Sequence, residues 1–271
     1  MQFSSGKKLI IACKVAAHTL TEGMVMAMQA PTRTGFERWQ DGVSKAVSDA
    51  KWNSWDCEIQ MAVHEYNRHL CGTSGYVPLD WQLIKPMLWV ETGAHDPQWN
   101  AKPMRIGVAG DPGLASLLSG NEGGDLIVPP AWIGRLTMAS VRTIPAYNIR
   151  AGIGYLLMRM AHFKYRSVLR ADPKVYEIAV TLGNSLDKMA KAQGTTIDTL
   201  KELNPTATVL RPGQVLMYRK ASVQKAITSW RPFSAALIAE RYNGGGDLNY
   251  ARKLDYALSM VRKGKVALCA R

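Results

Sequence analysis

The stretch YEIAVTLGNSLDKMAKAQGTTIDTLKELNPTATVLRPGQVLMY, residues 176–218, predicts a strand, two helices and a closing strand. Residues 176–180 alternate as a half-buried strand does. Ser185 is a suitable N-cap for the first helix, and Gly194 is suited to end it. The second helix and the closing strand are marked by Ile197, Leu200 and Leu203, and by Val215-Leu216-Met217-Tyr218.

The sequence before this segment is mainly helical. Aromatic and aliphatic residues recur at helical spacing through residues 36–70, which predicts two helices. Asp80 is a plausible N-cap for a third helix that continues to Val90. A fourth helix is predicted from Pro145 through Met160, with Ile153 and Leu156 among its apolar residues.

Two further regions complete the predicted fold. Glycine-rich residues 93–130 predict a long, loop-rich connection, which is commonly functional. After Ala221-Ser222 the chain is predicted to be helical again, and a last helix carries Leu248, Ala251, Leu254, Leu258 and Val261. The predicted fold class is therefore α+β, mainly α-helical with a small βααβ module along the chain.

The charge of the chain is high and unevenly distributed. The 271 residues carry a net charge of +13, and 47% of them are hydrophobic, which excludes a mostly disordered protein. Residues 81–171 hold 10 Lys and Arg against 5 Asp and Glu, and residues 221–271 hold 9 against 3. Such a surplus favours a polyanionic partner, which could be nucleic acid, an anionic membrane surface or a cell-wall polymer.

The N-terminal residues resemble an export signal only in part. Lys7 and Lys8 precede the apolar run Leu9–Cys13, but Lys14 ends that run, which is shorter than a signal peptide requires. Residues 8–29 are predicted to be an amphipathic or loosely packed segment. No stretch approaches the roughly eighteen apolar residues of a membrane-spanning helix, so no transmembrane segment is predicted.

The cysteines do not indicate a metal centre. Cys13, Cys57, Cys71 and Cys269 form no CxxC pair and no zinc-ligand spacing, so neither a metal nor a cofactor is predicted. They do not indicate a disulfide framework either, although a bridge between Cys57 and Cys71 remains open.

The βααβ segment resembles a LysM domain, a module that binds glycans containing N-acetylglucosamine. The matching residues are Leu182-Gly183-Asn184-Ser185-Leu186, Met189-Ala190, Gly194, Ile197, Leu200, Leu203-Asn204-Pro205 and Arg211-Pro212-Gly213-Gln214-Val215-Leu216. Asn184-Ser185 stands where the family usually has Asp-Thr. The resemblance implies glycan contacts from Gly183, Asn184, Ser185, Leu186, Asn204 and Pro205. The alternative is a module that serves only structure.

The flanking segments are similar to lytic transglycosylases with a goose-type lysozyme core. Four stretches appear in the family's order: Val90-Glu91-Thr92-Gly93 for its Glu-Ser-Gly; Pro103-Met104-Arg105-Ile106-Gly107 for its Gly-Leu-Met-Gln; Asn148-Ile149-Arg150-Ala151-Gly152-Ile153-Gly154-Tyr155-Leu156 for its Asn-Ile…Gly…Tyr-Leu; and Arg241-Tyr242-Asn243-Gly244-Gly245 for its Ala-Tyr-Asn-Ala-Gly. Because the fourth follows the LysM segment, the resemblance implies that LysM is inserted within the catalytic domain. The expected organisation is an N-terminal helical segment (1–78), a first catalytic part (79–170), LysM (171–221) and a second catalytic part (222–271).

The resemblance implies that Glu91 is the general acid and base of a peptidoglycan-cleaving muramidase. Glu91 follows an apolar helical run, which would keep its carboxyl protonated near neutral pH. Lytic transglycosylases need one carboxylate, whereas common hydrolases use a second. Substrate contacts are expected from Thr92, Met104, Arg105, Tyr155, Tyr242 and Asn243. Arg105 stands in place of a glutamine, and a nearby cation would lower the pKa of an acid.

The sequence supports three hypotheses of function. The first is a lytic transglycosylase, or a hydrolytic lysozyme, that acts on the glycan strands of peptidoglycan. The second is a non-catalytic wall-binding or assembly protein with a degenerate lysozyme-like fold. The third, nucleic-acid binding, rests on charge alone, and we do not expect it.

The expected place of action is the periplasm or cell wall. Because no convincing signal peptide is seen, delivery by a type VI secretion machine or a phage is expected. An antibacterial effector of that kind implies an immunity protein that blocks the Glu91 cleft.

Overall fold

The computed structural model of the chain describes residues 33–264 and residue 269. The predicted α+β fold class is confirmed, with a mainly helical body and small antiparallel sheets. The segment 8–29 lies outside the described residues. The helices of the body are α1 (Gly35–Ala46), α2 (Asp56–Leu70), α3 (Trp81–Glu91), α4 (Gly113–Ser119), α5 (Gly124–Ile127), α6 (Met138–Thr143) and α7 (Pro145–Met160), followed after the module by α10 (Ala235–Arg241) and α11 (Tyr250–Lys263).

Helix α7 is the central element of the helical body. It packs against α2, α4, α5, α6 and α10, and nearly all of its residues from 148 to 160 are buried. A Cβ atom at Gly152 would lie 2.6 Å from the Met104 side chain, and one at Gly154 would lie 2.5 Å from the Tyr66 hydroxyl. Glycine is therefore required at both positions for the neighbouring elements to pack this closely.

Residues 93–130 contain more regular structure than the sequence predicts. Besides α4 and α5, a 3₁₀ turn occupies Pro97–Asn100. Asp96 caps that turn by accepting a hydrogen bond from the Gln98 amide. Glycines limit both helices, because Gly120 ends α4 and Gly123 precedes α5, each in a left-handed conformation. The elements are too short to give a clear helical period in the sequence.

The prediction that the chain becomes helical directly after Ala221-Ser222 is wrong. Residues Ala221–Trp230 form β4, which pairs antiparallel with β1 (Ala161–Leu169) from Ala161↔Trp230 to Leu169↔Ala221. We call this pair the ribbon. The β-branched residues of β4 fit a strand, and β1 satisfies its backbone groups. Leu248 also lies outside the last helix, and it is exposed.

The ribbon carries the βααβ module at the end distant from the helical body. Its strands β2 (Tyr176–Ala179) and β3 (Val215–Tyr218) pair antiparallel, and between them lie α8 (Leu186–Gln193) and α9 (Ile197–Leu203). Ser185 caps α8 by accepting from the Lys188 amide, and Gly194 ends it with a left-handed conformation, as predicted. The module has its own small apolar core, formed by Val180, Met189, Ala190, Leu200, Leu216 and Tyr218.

A disulfide joins Cys57 on α2 to Cys269 near the C-terminus. The Cys57–Cys71 bridge that the sequence left open does not form, because Cys57 is already paired and Cys71 is an exposed free thiol. The bond spans 212 residues of sequence, so it closes a large loop in the unfolded chain.

Replacing Cys57 and Cys269 together by serine should lower the free energy of unfolding by about 2–4 kcal/mol, because the unfolded chain regains the entropy of that loop. Urea unfolding of the full chain measures the change. Cys71→Ser is the matched control and should leave the midpoint unchanged. A wild type whose midpoint is the same with and without reductant would contradict a stabilising role for this bond.

Candidate active site

Glu91 is the last residue of α3, and the helix places it next to the main core. Asp80 caps α3 by accepting from the Gln82 amide, as predicted, and Leu83 through Trp89 are buried. Gly93 then turns the chain with a φ of +72°, and a Cβ atom there would lie 2.9 Å from the Trp52 ring. The helix and this turn fix Glu91 with its side chain partly buried.

Tyr250 is the closest polar partner of the Glu91 carboxyl. It is the first residue of α11, which packs against α3, and its hydroxyl donates to Glu91 Oε1 at 2.7 Å. Burial raises the pKa of Glu91 from its usual 4.5 to about 7; Tyr250 and Arg105 act in the lowering direction, and the charges of Asp111 and Asp247 act in the raising direction. A carboxyl of this kind can both donate and accept a proton near neutral pH.

Arg105 lies beside Glu91 without pairing with its carboxylate. Its guanidinium donates to the Glu91 main-chain carbonyl at 3.1 Å and lies 3.7 Å from an Asp96 carboxylate oxygen. Arg105 has a φ of +51°, a strained backbone conformation for a residue with a side chain. Because the guanidinium does not pair with the carboxylate, its charge lowers the pKa of Glu91 only slightly. Burial raises that pKa by more.

Buried hydrogen bonds hold the segment of Met104 in place. The Met104 amide donates to Asn148 Oδ1 at 2.9 Å, and its carbonyl accepts from the Tyr242 hydroxyl at 3.1 Å. Thr92 donates its hydroxyl to the Pro103 carbonyl at 3.0 Å. The side chain of Met104 is buried in the core. Thr92 and Met104 thus help to hold the backbone beside Glu91. The Thr92 side chain bonds the backbone, and the Met104 side chain packs in the core.

Tyr155 and Tyr242 form an aromatic pair near this segment. Their ring centroids lie 5.5 Å apart, and Tyr155 is partly buried. Burial raises the pKa of Tyr242 well above its usual value, and the charge of Glu91 acts in the same direction. Asn243 accepts a hydrogen bond from the Asp247 amide at 2.8 Å, so its oxygen stabilises the turn that leads to α11. The structure therefore brings the predicted residues at 91, 105, 155 and 242 into one region.

The residues expected to bind glycan in the module lie in the loop before α8, at the first residue of α8 and just after α9. Gly183 is exposed with a φ of +81°, Ser185 caps α8, and Leu186 packs partly against the module core. Asn184 donates to the Thr181 hydroxyl. Asn204 joins α9 to β3 through hydrogen bonds with both main-chain groups of Met217, at 2.7 and 2.8 Å, while Pro205 is exposed.

Several residues that shape the site were not predicted from the sequence as site residues. Tyr250 holds the carboxyl, and Asn148 also donates to the carbonyls of Ile106 and Val141, which fixes the loop beneath it. Asp111 accepts from the amides of Gly107 and Gly113. Asn148 stands within one of the stretches that resemble the family, and this resemblance was the available signal for it. Tyr250 had none, because it contacts Glu91 only through the tertiary fold.

No protein-family model, curated protein or solved structure matches this chain. Within the described residues, no His, Cys, Asp and Glu side chains group in a way that could hold a metal ion. None of the helices in that part of the chain combines the length and apolar character needed to cross a membrane.

Tyr250→Phe should raise the pKa of the Glu91 carboxyl by about 1 unit. The hydroxyl stabilises the Glu91 carboxylate, so its removal favours the protonated form further. The measurement is an NMR titration of the Glu91 side chain from about pH 5 to about pH 9. Tyr256→Phe is the control on the same helix, since Tyr256 bonds Ser44 instead. A titration midpoint that stays in place or falls would show that Tyr250 does not stabilise this carboxylate.

Proposed function

We propose that this protein is a peptidoglycan lytic transglycosylase that cuts the β-1,4 bond between N-acetylmuramic acid and N-acetylglucosamine. The observation that carries the proposal is the Glu91 carboxyl, which burial holds at a pKa of about 7 beside Tyr250. Additional support comes from the four stretches that resemble this family and occur in the family's order. Tyr155 and Tyr242, from two of these stretches, form an aromatic pair near the Met104 segment beside Glu91.

In the proposed reaction, Glu91 donates its proton to the glycosidic oxygen as the bond breaks. The anomeric carbon becomes oxocarbenium-like, and the acetamido group of the muramic sugar supports the positive charge. The 6-hydroxyl of the same sugar then attacks that carbon, and the Glu91 carboxylate accepts its proton. The products are a 1,6-anhydro sugar and a free 4-hydroxyl, and the enzyme returns to its protonated form.

The state of the neighbouring carboxylates favours a single-carboxylate mechanism. Asp111 accepts from two loop amides, and Asp247 binds Lys253 at 2.7 Å and the Asn249 amide. Asp96 lies beside Arg105. Each of these carboxylates already stabilises the local backbone or a cation, whereas a common hydrolase needs a second carboxylate that acts on the sugar or water.

Charge and the module support a wall polymer as substrate. The segments around the module carry the surplus of basic residues, which favours an anionic layer. We propose that the module acts as a LysM domain and holds glycan strands through the loop before α8 and the residues just after α9. The Cys57–Cys269 disulfide is consistent with action in the periplasm or cell wall, since such bonds persist in oxidising compartments.

The experiment that tests this function is digestion of purified sacculi by the full chain, with mass analysis of the released fragments. The proposal predicts muropeptides that end in 1,6-anhydro sugars, each one water lighter than its reducing counterpart. Reducing ends would replace the transglycosylase with a hydrolytic muramidase. Firm sacculus binding with no released fragments would contradict cleavage and leave the wall-binding alternative.

A further inference from the structure

A basic cavity lies where the ribbon meets the helical body. Its volume is about 300 Å³, and it is bordered by the end of α7, the end of α10 and the inner part of the ribbon. We call it the basic cavity because four cationic side chains line it: Arg159, Lys225, Arg231 and Arg241. Glu122 is among the other lining residues.

The positive charge of the basic cavity is only partly compensated. Arg159 pairs with Glu122 at 3.1 Å, and Arg241 pairs with Glu240 at 3.0 Å. Lys225 donates instead to the main-chain carbonyls of residues 120 and 121, and Arg231 donates to those of residues 159 and 161. The four cations are thus paired with two carboxylates, of which only Glu122 lines the cavity, so at least two positive charges are not compensated.

The titration of neighbouring groups reflects this surplus. Burial lowers the pKa of Arg231, and the charges of Arg241 and Arg159 lower it further. A cation whose pKa is lowered by neighbouring cations is repelled by them, and a bound anion would relieve that repulsion. Guanidinium groups suit this role because their planar forks bind carboxylates and phosphates through paired hydrogen bonds.

The basic cavity adjoins the residues proposed to hold the sugar. The Arg159 guanidinium lies 6.0 Å from the centre of the Tyr155 ring, and that ring lies 5.5 Å from Tyr242. Arg241 directly precedes Tyr242 at the end of α10, at a position where the family that the chain resembles has alanine. An anion in the cavity would therefore lie beside the sugar whose bond is cut.

We propose that the basic cavity binds the free carboxylates of the peptide that peptidoglycan carries on its muramic acid. This inference rests on the proposed function, because the cleaved bond belongs to the muramic sugar and the peptide branches from that same sugar. The cavity would make the protein selective for strands that retain acidic peptides. It would also orient the muramic sugar relative to Glu91.

The test measures binding to the full chain that carries Glu91→Gln, so that no probe is consumed. The probes in calorimetric titrations are a muramoyl peptide with free carboxylates, the same peptide with amidated carboxylates, and inorganic phosphate. Arg241→Gln and Lys225→Gln are each added to remove one cation. Arg166→Gln is the matched control, since Arg166 is exposed and points to the opposite face of the ribbon from Lys225.

The expected result is that the acidic peptide binds at least about 10-fold more tightly than the amidated one, and that each cavity variant removes about that factor while Arg166→Gln does not. The preference should weaken as salt is added. Equal binding of both peptides, or cavity variants that fold and bind as the parent does, would overturn the proposal. Phosphate that binds as tightly as the acidic peptide would also overturn it, in favour of a general anion site. Failure of the proposed function is seen separately, as a wild type that releases no fragments from sacculi.

Discussion

Glu91→Gln should lower the rate of sacculus solubilisation about a thousandfold. Glutamine has nearly the same shape and can still accept the Tyr250 hydrogen bond, but it has no proton to give to the glycosidic oxygen. Loss of a general acid costs about 10²–10⁴ in rate. The measurement is the initial rate of fragment release at pH 6, where most of the wild-type carboxyl is protonated.

The matched control for this variant is Asp255→Asn, which neutralises an exposed carboxylate on α11. It should cleave at the wild-type rate. If Glu91→Gln and the wild type released fragments equally fast, Glu91 would not be the acid, and the proposed mechanism would be wrong.

Glu91→Gln should also be more stable than the wild type at neutral and higher pH. Because the folded-state pKa of Glu91 is raised, the folded protein holds a proton that the unfolded chain releases between about pH 4.5 and 7. Wild-type stability therefore falls as pH rises through that window, by up to about 3 kcal/mol, whereas glutamine does not titrate. Urea unfolding at pH 4 and pH 8 measures the difference. A gap between variant and wild type that is equal at both pH values would contradict the raised pKa.

Arg150→Met should lower the free energy of unfolding by about 3–5 kcal/mol, the largest expected loss of stability. The Arg150 side chain is 6% exposed and pairs with both Glu58 and Glu65 of α2. Its guanidinium also stacks 4.2 Å from the centre of the Trp132 ring. Methionine fills much of the same space but leaves two neighbouring carboxylates without their cation, which is the costly way to break a buried pair.

Urea unfolding at pH 7 measures this loss. The control is Arg135→Met, because Arg135 stacks on the same tryptophan at 5.2 Å but is exposed, and its loss should cost less than about 1 kcal/mol. Adding Glu58→Gln to Arg150→Met should recover part of the stability. If the two arginine variants lost the same stability, the ion pairs of Arg150 with Glu58 and Glu65 would not contribute strongly to the contact between α7 and α2.

The elements that sequence predicted well are those specified by nearby residues. Asp80 caps α3, Ser185 caps α8 and Gly194 ends α8, and each acts on backbone groups within a few positions. Strand β4 was missed because it is defined by its pairing with β1, about 60 residues earlier in the sequence. Its β-branched residues are compatible with a strand, but the long-range pairing decides its conformation.

In the candidate site, too, the sequence predicted local contacts but not distant ones. The sequence indicated the environment of Glu91, since the apolar run before it is the end of α3. It could not indicate Tyr250, which contacts Glu91 across 159 positions, or the pairing of Cys57 with Cys269. The roles expected for Thr92 and Asn243 in binding sugar also depended on where their polar atoms point. In the structure the Thr92 hydroxyl and the Asn243 side-chain oxygen bind the protein's own backbone.

The central claim is that burial keeps one carboxyl, that of Glu91, protonated near neutral pH. The most direct measurement is a carbon-detected NMR titration of glutamate side chains in the full chain, with the Glu91 signal assigned from Glu91→Gln. Our account predicts a midpoint at about pH 7 that rises in Tyr250→Phe. A midpoint at 4.5, the usual value for a glutamate, would contradict it, because the carboxyl would then lack the proton that the proposed mechanism requires near neutral pH.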